Sequence, residues 1–237
     1  MMSDFEFSII QACREVYPQV PVAACFFHLG QSVYRQVQGR GLQGAYNDPQ
    51  DRSVKQYTHM LLALAFVPVG DVPSAFVELR AACPPVLNPI MDYFDETYIN
   101  GRPAITRRVG RAQRSSVPAR YEPGLWNQYN AAIAKLHRTN NVSEGWHNRF
   151  RVVVGKHHPD LYGCLVELQK EQSYTESSLA ELAMGKRVKA LPKKQWTALQ
   201  VRMQDIANDY GTYKAAGTTL DYLRAIGYNI VLSGEET

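Results

Sequence analysis

Prolines divide the centre of the chain into short segments. They occupy positions 68, 73, 84, 85 and 89. Because proline lacks a backbone N–H and its ring clashes with the preceding turn, each one either ends a helix or stands in its first turn. Apolar residues recur at helical spacing between the prolines, which predicts helices over residues 51–66, 72–82 and 86–98. The interval 45–100 is therefore predicted to form a run of short helices.

Helices are also predicted on both sides of this interval. Residues 4–16 place apolar side chains on one helical face, and Ser3 could cap that helix. The stretch VPVAACFFHL is short, β-branched and aromatic, which predicts a buried strand that runs into a helix ending near Gly39 and Gly41. Helical patterns also cover residues 125–136, 141–154, 161–172 and 196–210. The predicted fold class is predominantly α, with one or two short strands near residues 20–27.

Composition sets broad limits on the class of protein. A hydrophobic content of 45% is ordinary for a chain that buries a core, and the net charge of +4 permits nucleic-acid binding without requiring it. The four cysteines form no C-x-x-C pair, which indicates reduced thiols in an intracellular protein. No apolar run reaches the ~18 residues of a membrane span, and the start lacks a signal-peptide pattern. We therefore expect no membrane partner.

Residues 101–120 are strongly basic. They hold six arginines and no acidic residue: Arg102, Arg107, Arg108, Arg111, Arg114 and Arg120. The segment shows no periodicity and few large apolar residues, so we predict a basic loop. Two interpretations stay open. The loop is either a solvated linker or a segment that neutralises the phosphates of double-stranded DNA without reading its bases.

Asp4, Glu144 and a Cys–His pair are the candidate site residues. Asp4 stands at a predicted helix start and could cap it. Glu144 follows Asn141 by three residues, as in a capping box, but it could equally bind a metal ion. Cys25 and His28 form C-x-x-H, which is either half of a zinc site or a buried thiol beside a hydrogen-bonded histidine. The sequence holds neither a phosphate-cradling glycine loop nor a G-x-S-x-G motif.

The order of these motifs along the chain is D-F-E at 4–6, C-F-F-H-L at 25–29 and T-N-N-x-x-E-G-W-H at 139–147. In this order they resemble the Mutator-like (MULE) transposases. The resemblance is colinear over about residues 3–172. A weaker resemblance is found in LDYLRAIGYNI near the C-terminal end. It implies an RNase H-like nuclease core interrupted by a helical insertion. Such enzymes cut and join DNA with three carboxylates that hold two divalent ions, Mg²⁺ or Mn²⁺.

The resemblance also implies roles for individual residues. It assigns the family's second aspartate to Asp4, its final glutamate to Glu144 and its C-x-x-H pair to Cys25 and His28. Asp4 and Glu144 are thus expected metal ligands, and His28 is expected to support catalysis. The helices at 4–16 and 141–154 should then lie close together, which would bring Asp4 near Glu144.

One element of the family pattern has no counterpart in this sequence. The family's first aspartate lies upstream of D-F-E, commonly in a D-G-T-F-like segment, and these 237 residues contain no match for it. We therefore expect a fragment or a truncated copy, which binds the ions weakly and is inactive by itself. Missing strands would leave a sheet edge open, which favours self-association.

The resemblance gives an expected organisation and function. Residues 1–40 would form a partial RNase H-like core, 41–137 a helical insertion with its basic loop, 138–172 the final core helices, and 173–237 a basic helical tail. The expected function is that of a transposase-derived nuclease core for DNA transposition in the nucleus. The alternative is a non-catalytic, transposon-derived nuclear protein that binds DNA or protein.

Overall fold

A computed structural model describes residues 1–108, 111–136, 138–139, 141–155, 159–186 and 194–232. Within these ranges the side chains at 104–108, 111–115, 141–144 and 195 lie outside the description. The described part is predominantly helical with few strands, which confirms the predicted fold class at that level. The chain divides into two compact units, and each is described by itself. The first unit comprises Met1–Thr139 and Ala198–Thr237, and the second comprises Asn140–Thr197.

The helices are α1 Phe7–Val16, α2 Phe26–Gly39, α3 Gln43–Tyr46, α4 Ser53–Ala63, α5 Val72–Ala82, α6 Asn88–Phe94, α7 Pro123–Trp126, α8 Tyr129–Ile133, α9 Asn141–Val154, α10 Leu161–Ala183, α11 Lys194–Asn208, α12 Tyr210–Ala215 and α13 Thr219–Tyr228. The strands are β1 Met2–Ser3, β2 Ala23–Ala24, β3 Arg102–Arg108 and β4 Arg111–Val117. Short 3₁₀ turns cover Leu64–Phe66, Val69–Asp71 and Pro85–Leu87, and a π-helical turn covers Asp95–Ile99.

Helix α4 forms the centre of the first unit. It continues into the 3₁₀ turn, and every side chain from Met60 to Val67 is buried, as an uninterrupted apolar run requires. Helix α13 packs directly on α4, because Gly227 has no side chain: a Cβ there would lie 3.2 Å from the His59 carbonyl carbon. The His59 ring joins α4 to α13 through a contact of 3.1 Å to the Gly227 oxygen, and joins α4 to α3 through a contact of 2.8 Å to the Tyr46 hydroxyl.

The prolines stand where the sequence analysis placed them, at helix starts and ends. Pro73 lies in the first turn of α5 and Pro89 in the first turn of α6, so neither removes an internal hydrogen bond. The predicted helix at 72–82 has the observed bounds. The helix predicted at 86–98 is confirmed in part, since α6 ends at Phe94 and the π-helical turn follows.

Strand β1 precedes α1 in the chain and β2 follows it, and the two strands pair in parallel. The register pairs Met2 with Ala23 and Ser3 with Ala24. The predicted strand near residues 20–27 is thus confirmed as a two-residue strand. The predicted cap by Ser3 is wrong, because Ser3 belongs to β1 and its carbonyl oxygen accepts the Cys25 amide hydrogen at 2.8 Å. Helix α1 begins later, at Phe7, after a turn.

The basic segment is a β-hairpin, and the prediction of a loop at 101–120 is wrong over its two strands. Strands β3 and β4 pair antiparallel from Arg102 opposite Val117 to Arg108 opposite Arg111. Strand pairing satisfies the backbone groups whatever the side chains, so a polar sequence without clear alternation can still form it. The loop prediction relied on side-chain pattern alone, and that pattern does not report which backbone groups are paired.

The second unit contains a pair of packed helices, α9 and α10. Trp146 Nε1 donates to the buried carboxylate of Glu171 at 3.1 Å, and the Arg149 guanidinium forms an ion pair with the same carboxylate. Asp160 caps α10 by accepting the Gly163 amide hydrogen at 2.8 Å. Helix α10 is longer than the predicted 161–172, so the expected boundary between residues 172 and 173 falls inside it.

Among the described helices of both units, none has the combination of length and apolar character that crossing a lipid bilayer requires.

Candidate functional site

A cavity of about 860 Å³ opens on the first unit. Its lining includes three acidic residues, three arginines, one histidine and four aromatic residues: Asp4, Glu6, Glu96, Arg35, Arg102, Arg120, His28, Phe5, Tyr93, Tyr98 and Tyr121. Four of these residues, Asp4, His28, Arg102 and Arg120, are site residues expected from the sequence. The fold therefore brings together candidates that lie up to 116 positions apart in the chain.

Four parts of the first unit supply the lining. Asp4 lies in the turn between β1 and α1, where its Oδ1 accepts the Glu6 amide hydrogen at 3.2 Å. His28, Ser32 and Arg35 lie at helical spacing along one face of α2. The third part is the end of α6 with the π-helical turn after it, which together carry Tyr93, Glu96, Thr97 and Tyr98. The fourth is the base of the hairpin and the residues just after it, which supply Arg102, Val117, Pro118, Arg120 and Tyr121. A π-helical turn is rare and is frequent at functional sites.

Asp4 does not cap α1. Glu6 occupies the cap position of that helix, and no side chain there accepts a capping hydrogen bond. Because Asp4 bonds only two residues ahead, it forms a local turn and stays half-buried at the edge of the cavity. The capping interpretation is therefore wrong for Asp4, which forms a local turn instead, and its role as a site carboxylate stays a prediction.

Packed aromatic rings form the floor of the cavity. Phe5 meets Tyr121 and Tyr98 edge-on, with ring centroids 4.9 Å and 5.6 Å away, and Tyr98 and Tyr121 stack at 5.7 Å. The Tyr121 hydroxyl also donates to the Phe5 carbonyl oxygen at 2.6 Å. Rings held by both packing and hydrogen bonds give the cavity a fixed apolar base.

A short chain of hydroxyl groups crosses one wall. The Tyr98 hydroxyl donates to Ser32 Oγ at 2.8 Å, and Ser32 Oγ lies 2.8 Å from the Tyr93 hydroxyl. Burial raises the pKa of Tyr98 far above its ordinary value, and nearby Tyr93 adds to the rise. The Tyr98 phenol is thus a neutral hydrogen-bonding group at physiological pH, and it holds Ser32 in place at the wall of the cavity.

The rim of the cavity carries side chains of both charges. The Arg120 guanidinium lies 5.4 Å from the centre of the Tyr121 ring. Burial raises the pKa of Tyr121, Arg120 opposes the rise, and the negative charge of Asp4 adds to it. Such a rim can hold a phosphate group at its arginines, beside a carboxylate that repels the same phosphate unless a cation lies between them.

The expected metal site is only partly described. Among the described residues, no group of three or more His, Cys, Asp or Glu side chains lies close enough to hold a metal ion. The side chain of Glu144 lies outside the described residues, and so do its expected proximity to Asp4 and the capping box with Asn141. Whether the two carboxylates share an ion therefore stays a prediction.

Cys25 and His28 differ in burial. Cys25 is fully buried at the start of α2, whereas His28 is half-buried and faces the cavity. A fully buried thiol at a helix start behaves as a small core residue. The geometry therefore favours the core interpretation for Cys25 and a place at the site for His28.

The arginines fall into two groups. Arg102 and Arg120 are exposed and line the cavity. The other four, Arg107, Arg108, Arg111 and Arg114, lie on the hairpin strands with side chains outside the description.

Several lining residues were not identified from the sequence. Ser32 and Arg35 follow His28 at four and seven positions, so helical spacing from His28 was a usable signal. Tyr98 had no such signal, since its place depends on the π-helical turn.

No protein-family model matches this chain, and neither a curated protein nor a solved structure is significantly similar to it. The resemblance to the MULE transposases therefore rests on the motifs quoted above.

Proposed function

We propose that this chain is a MULE-type, transposase-derived nuclease core that acts on DNA in the nucleus. In the intact protein, its activity would be metal-dependent DNA cleavage and strand transfer. The observation that supports this proposal is the shared cavity of Asp4, His28, Arg102 and Arg120. Motif resemblance identified Asp4 and His28, and the basic composition of residues 101–120 identified Arg102 and Arg120. Neither the motifs nor the composition implies that the four residues line one cavity.

The proposal gives the first unit a defined organisation. The β1–α1–β2 parallel pair and α2 would be part of an RNase H-like core. Helices α3 to α8, with the hairpin, would be the helical insertion. The cavity would then lie where core and insertion meet, because its lining comes from both.

Asp4 fits one place in a magnesium ligand set. It is a half-buried carboxylate with one oxygen held by the Glu6 amide, and hard divalent ions prefer oxygen ligands. In the proposal, Glu144 supplies the second carboxylate. When bound, Mg²⁺ or Mn²⁺ would stabilise negative charge on the reacting phosphodiester. The chain's own arginines at the rim would hold the flanking phosphates, and the aromatic floor would orient the nucleotide.

The metal part of the proposal predicts weak but carboxylate-dependent Mn²⁺ binding. The 237 residues match two of the three expected carboxylates, so affinity should be low. Asp4→Asn and Glu144→Gln should each weaken binding by roughly tenfold or more, because each removes a ligand. Electron paramagnetic resonance of free Mn²⁺ in a titration measures this directly. Glu15→Gln is the matched control, since Glu15 is an exposed acid on α1 away from the cavity lining.

A cleavage assay completes this test. With two matched carboxylates, we expect no nicking of supercoiled DNA by this chain in Mg²⁺ or Mn²⁺. Nicking that Glu144→Gln abolishes would show that the chain is active and that this expectation is wrong. Equal Mn²⁺ binding by the parent, Asp4→Asn and Glu144→Gln would refute the metal role of both residues.

The hairpin favours a second candidate function, DNA binding without catalysis. A two-stranded ribbon fits the major groove, and five of its fourteen strand positions are arginine. This alternative needs no metal, so DNA binding with unchanged Mn²⁺ behaviour in the carboxylate variants would support it over the nuclease.

Both candidates predict DNA binding that falls steeply with salt. Each phosphate contact contributes about 0.9 to the slope of log affinity against log salt. Arg102→Ser/Arg120→Ser should therefore reduce the magnitude of the slope by about 2, and changing the four hairpin arginines to serine by up to about 4. Fluorescence anisotropy with duplexes of unrelated sequence measures the slope and should show little base preference.

The matched control for the rim variant is Arg40→Ser/Arg202→Ser. It removes the same charge from exposed positions that do not line the cavity. If rim and control variants change the slope equally, net charge alone explains binding. If the hairpin variant keeps the parental slope, the four strand arginines do not contact DNA and are only solvated.

A further inference from the structure

Helix α10 carries a leucine-rich stripe with a seven-residue repeat. The stripe consists of Leu161, Leu165, Leu168, Gln172, Thr175, Leu179 and Leu182. Successive members are four and three residues apart, a mean of 3.5. This is the spacing of the a and d positions at which two helices of a left-handed coiled coil meet.

The stripe is open to solvent. Its five leucines are between 40% and 69% exposed. Helix α9 packs on a neighbouring face of α10, where Glu171 accepts from Trp146 and Arg149, and where the Arg149 guanidinium lies 5.1 Å from the Tyr174 ring centre. Packing within the second unit thus leaves the stripe uncovered, although exposed leucines grouped on one helix face often mark an interaction site.

We propose that this stripe is the seam of an antiparallel coiled coil with a second copy of this chain. The proposal is independent of the nuclease function. It assigns to α10 the self-association that the sequence analysis expected at an open sheet edge. The pair of α9–α10 hairpins would form a four-helix bundle, in which each α9 lies beside the seam.

The polar residues of the stripe favour the antiparallel direction. With Leu168 opposite Leu179 and Leu165 opposite Leu182, Gln172 of each copy lies opposite Thr175 of the other. The Thr175 hydroxyl already donates to the Glu171 carbonyl oxygen at 2.9 Å, so its oxygen can accept an N–H of Gln172. Each polar layer then holds one hydrogen bond from Gln172 to Thr175. A parallel pairing would instead place Thr175 opposite Thr175 of the second copy. Because each hydroxyl already donates within its own helix, neither could donate to the other.

The available area also suits a second copy. The five leucines with Tyr162, which is 80% exposed beside the stripe, would remove on the order of 500 Å² per copy from water. The total of about 1,000 Å² reaches the lower limit of a specific interface. The exposed Val152 and Val153 on α9 would add to it in the bundle.

Sedimentation equilibrium of the full chain tests the proposal. We expect a dimer at micromolar concentration and a monomer for Leu168→Glu/Leu179→Glu, because that variant places four carboxylates in the seam. The matched control is Val166→Glu/Ser177→Glu, which has the same spacing and charge on exposed positions outside the stripe. Circular dichroism should show unchanged helix content for the control. A parent that stays monomeric at 100-fold higher concentration, or a dimer unaffected by the seam variant, would overturn the proposal.

A charge pair tests the direction of the helices. In an antiparallel seam, Gln172→Glu/Thr175→Lys places each glutamate opposite a lysine and should keep the dimer. Gln172→Lys/Thr175→Lys places lysine opposite lysine and should weaken the dimer at least tenfold. In a parallel seam, like charges would meet in both variants. Loss of the dimer in both would therefore overturn the antiparallel arrangement.

Discussion

Replacement of Trp126 by alanine is expected to lower the free energy of unfolding by about 4 kcal/mol, because the substitution empties a large volume inside a packed core. Trp126 is fully buried. Its ring meets Phe94 edge-on with centroids 5.5 Å apart, and its Nε1 lies 3.1 Å from the Tyr98 carbonyl oxygen and 3.2 Å from that of Tyr121. Urea denaturation followed by circular dichroism measures the loss.

Two variants separate packing from hydrogen bonding at this position. Trp126→Phe keeps most of the ring contact but leaves two buried carbonyl oxygens without this donor, so we expect a loss of about 2 kcal/mol. Tyr228→Ala, at an aromatic side chain that is 85% exposed, should change the stability by less than about 0.5 kcal/mol. A loss below 1 kcal/mol for Trp126→Ala would mean that the ring is not the centre of this core.

Trp126 also connects stability to the candidate site. Both of its acceptors belong to tyrosines that form the cavity floor. Trp126→Ala should therefore bind DNA more weakly even at temperatures where it is folded, because Tyr98 and Tyr121 lose the ring and the hydrogen-bond donor that hold them in place.

The central helices were predictable because their signals are local. Proline spacing and apolar periodicity act within one segment, and the predicted bounds of α5 match those observed. The predicted cap of the first helix by Ser3 is wrong because of a neighbouring strand. Ser3 pairs with β2 and is therefore not available as a cap.

The hairpin was not predictable from the same signals. Its strands are held by pairing to each other, and arginine, serine and glutamine along them give no clear alternation. The turn that precedes it depends on Gly101, whose role is visible only when the backbone of residues 117–119 is placed beside it. A contact between segments sixteen residues apart leaves little trace in either segment alone.

The candidate site was predictable in part for a similar reason. Motif resemblance identified Asp4 and His28, and charge identified Arg102 and Arg120. Of the tyrosines of the floor, Tyr98 was only the last residue of a predicted helix and Tyr121 lay in no predicted helix. The place of Tyr98 depends on the π-helical turn, which shifts the face that this residue presents. Glu171 was likewise an ordinary helix residue until Trp146 and Arg149 were seen to enclose it.

Gly101→Ala is expected to detach the hairpin from the cavity. Gly101 has φ +79°, and a Cβ at this position would lie 2.0 Å from the Val117 carbonyl oxygen and 2.5 Å from the Pro118 carbonyl carbon. The substitution therefore adds backbone strain to a clash that no side-chain rotation can relieve, and we expect a local loss of at least about 3 kcal/mol. Hydrogen exchange should show faster exchange at the amides of residues 102–117.

Alanine variants at two other glycines distinguish the cost of backbone strain from the cost of the steric clash. Gly41 has φ +71° and open space around it, so Gly41→Ala should show the backbone strain alone, about 1 kcal/mol. Gly44 lies in α3 with open space, and Gly44→Ala should be neutral or stabilising by about 0.5 kcal/mol.

The same substitution tests whether the hairpin base supports DNA binding. Arg102 follows Gly101 directly, and Arg120 lies three residues beyond Val117, so displacement of this base moves both rim arginines without changing the net charge. Gly101→Ala should therefore reduce the salt slope as Arg102→Ser/Arg120→Ser does, whereas Gly41→Ala should keep the parental slope. If Gly101→Ala keeps the parental salt slope although residues 102–117 exchange fast, DNA binding does not depend on the cavity rim. The arginines would then contribute by their charge alone, wherever the hairpin places them.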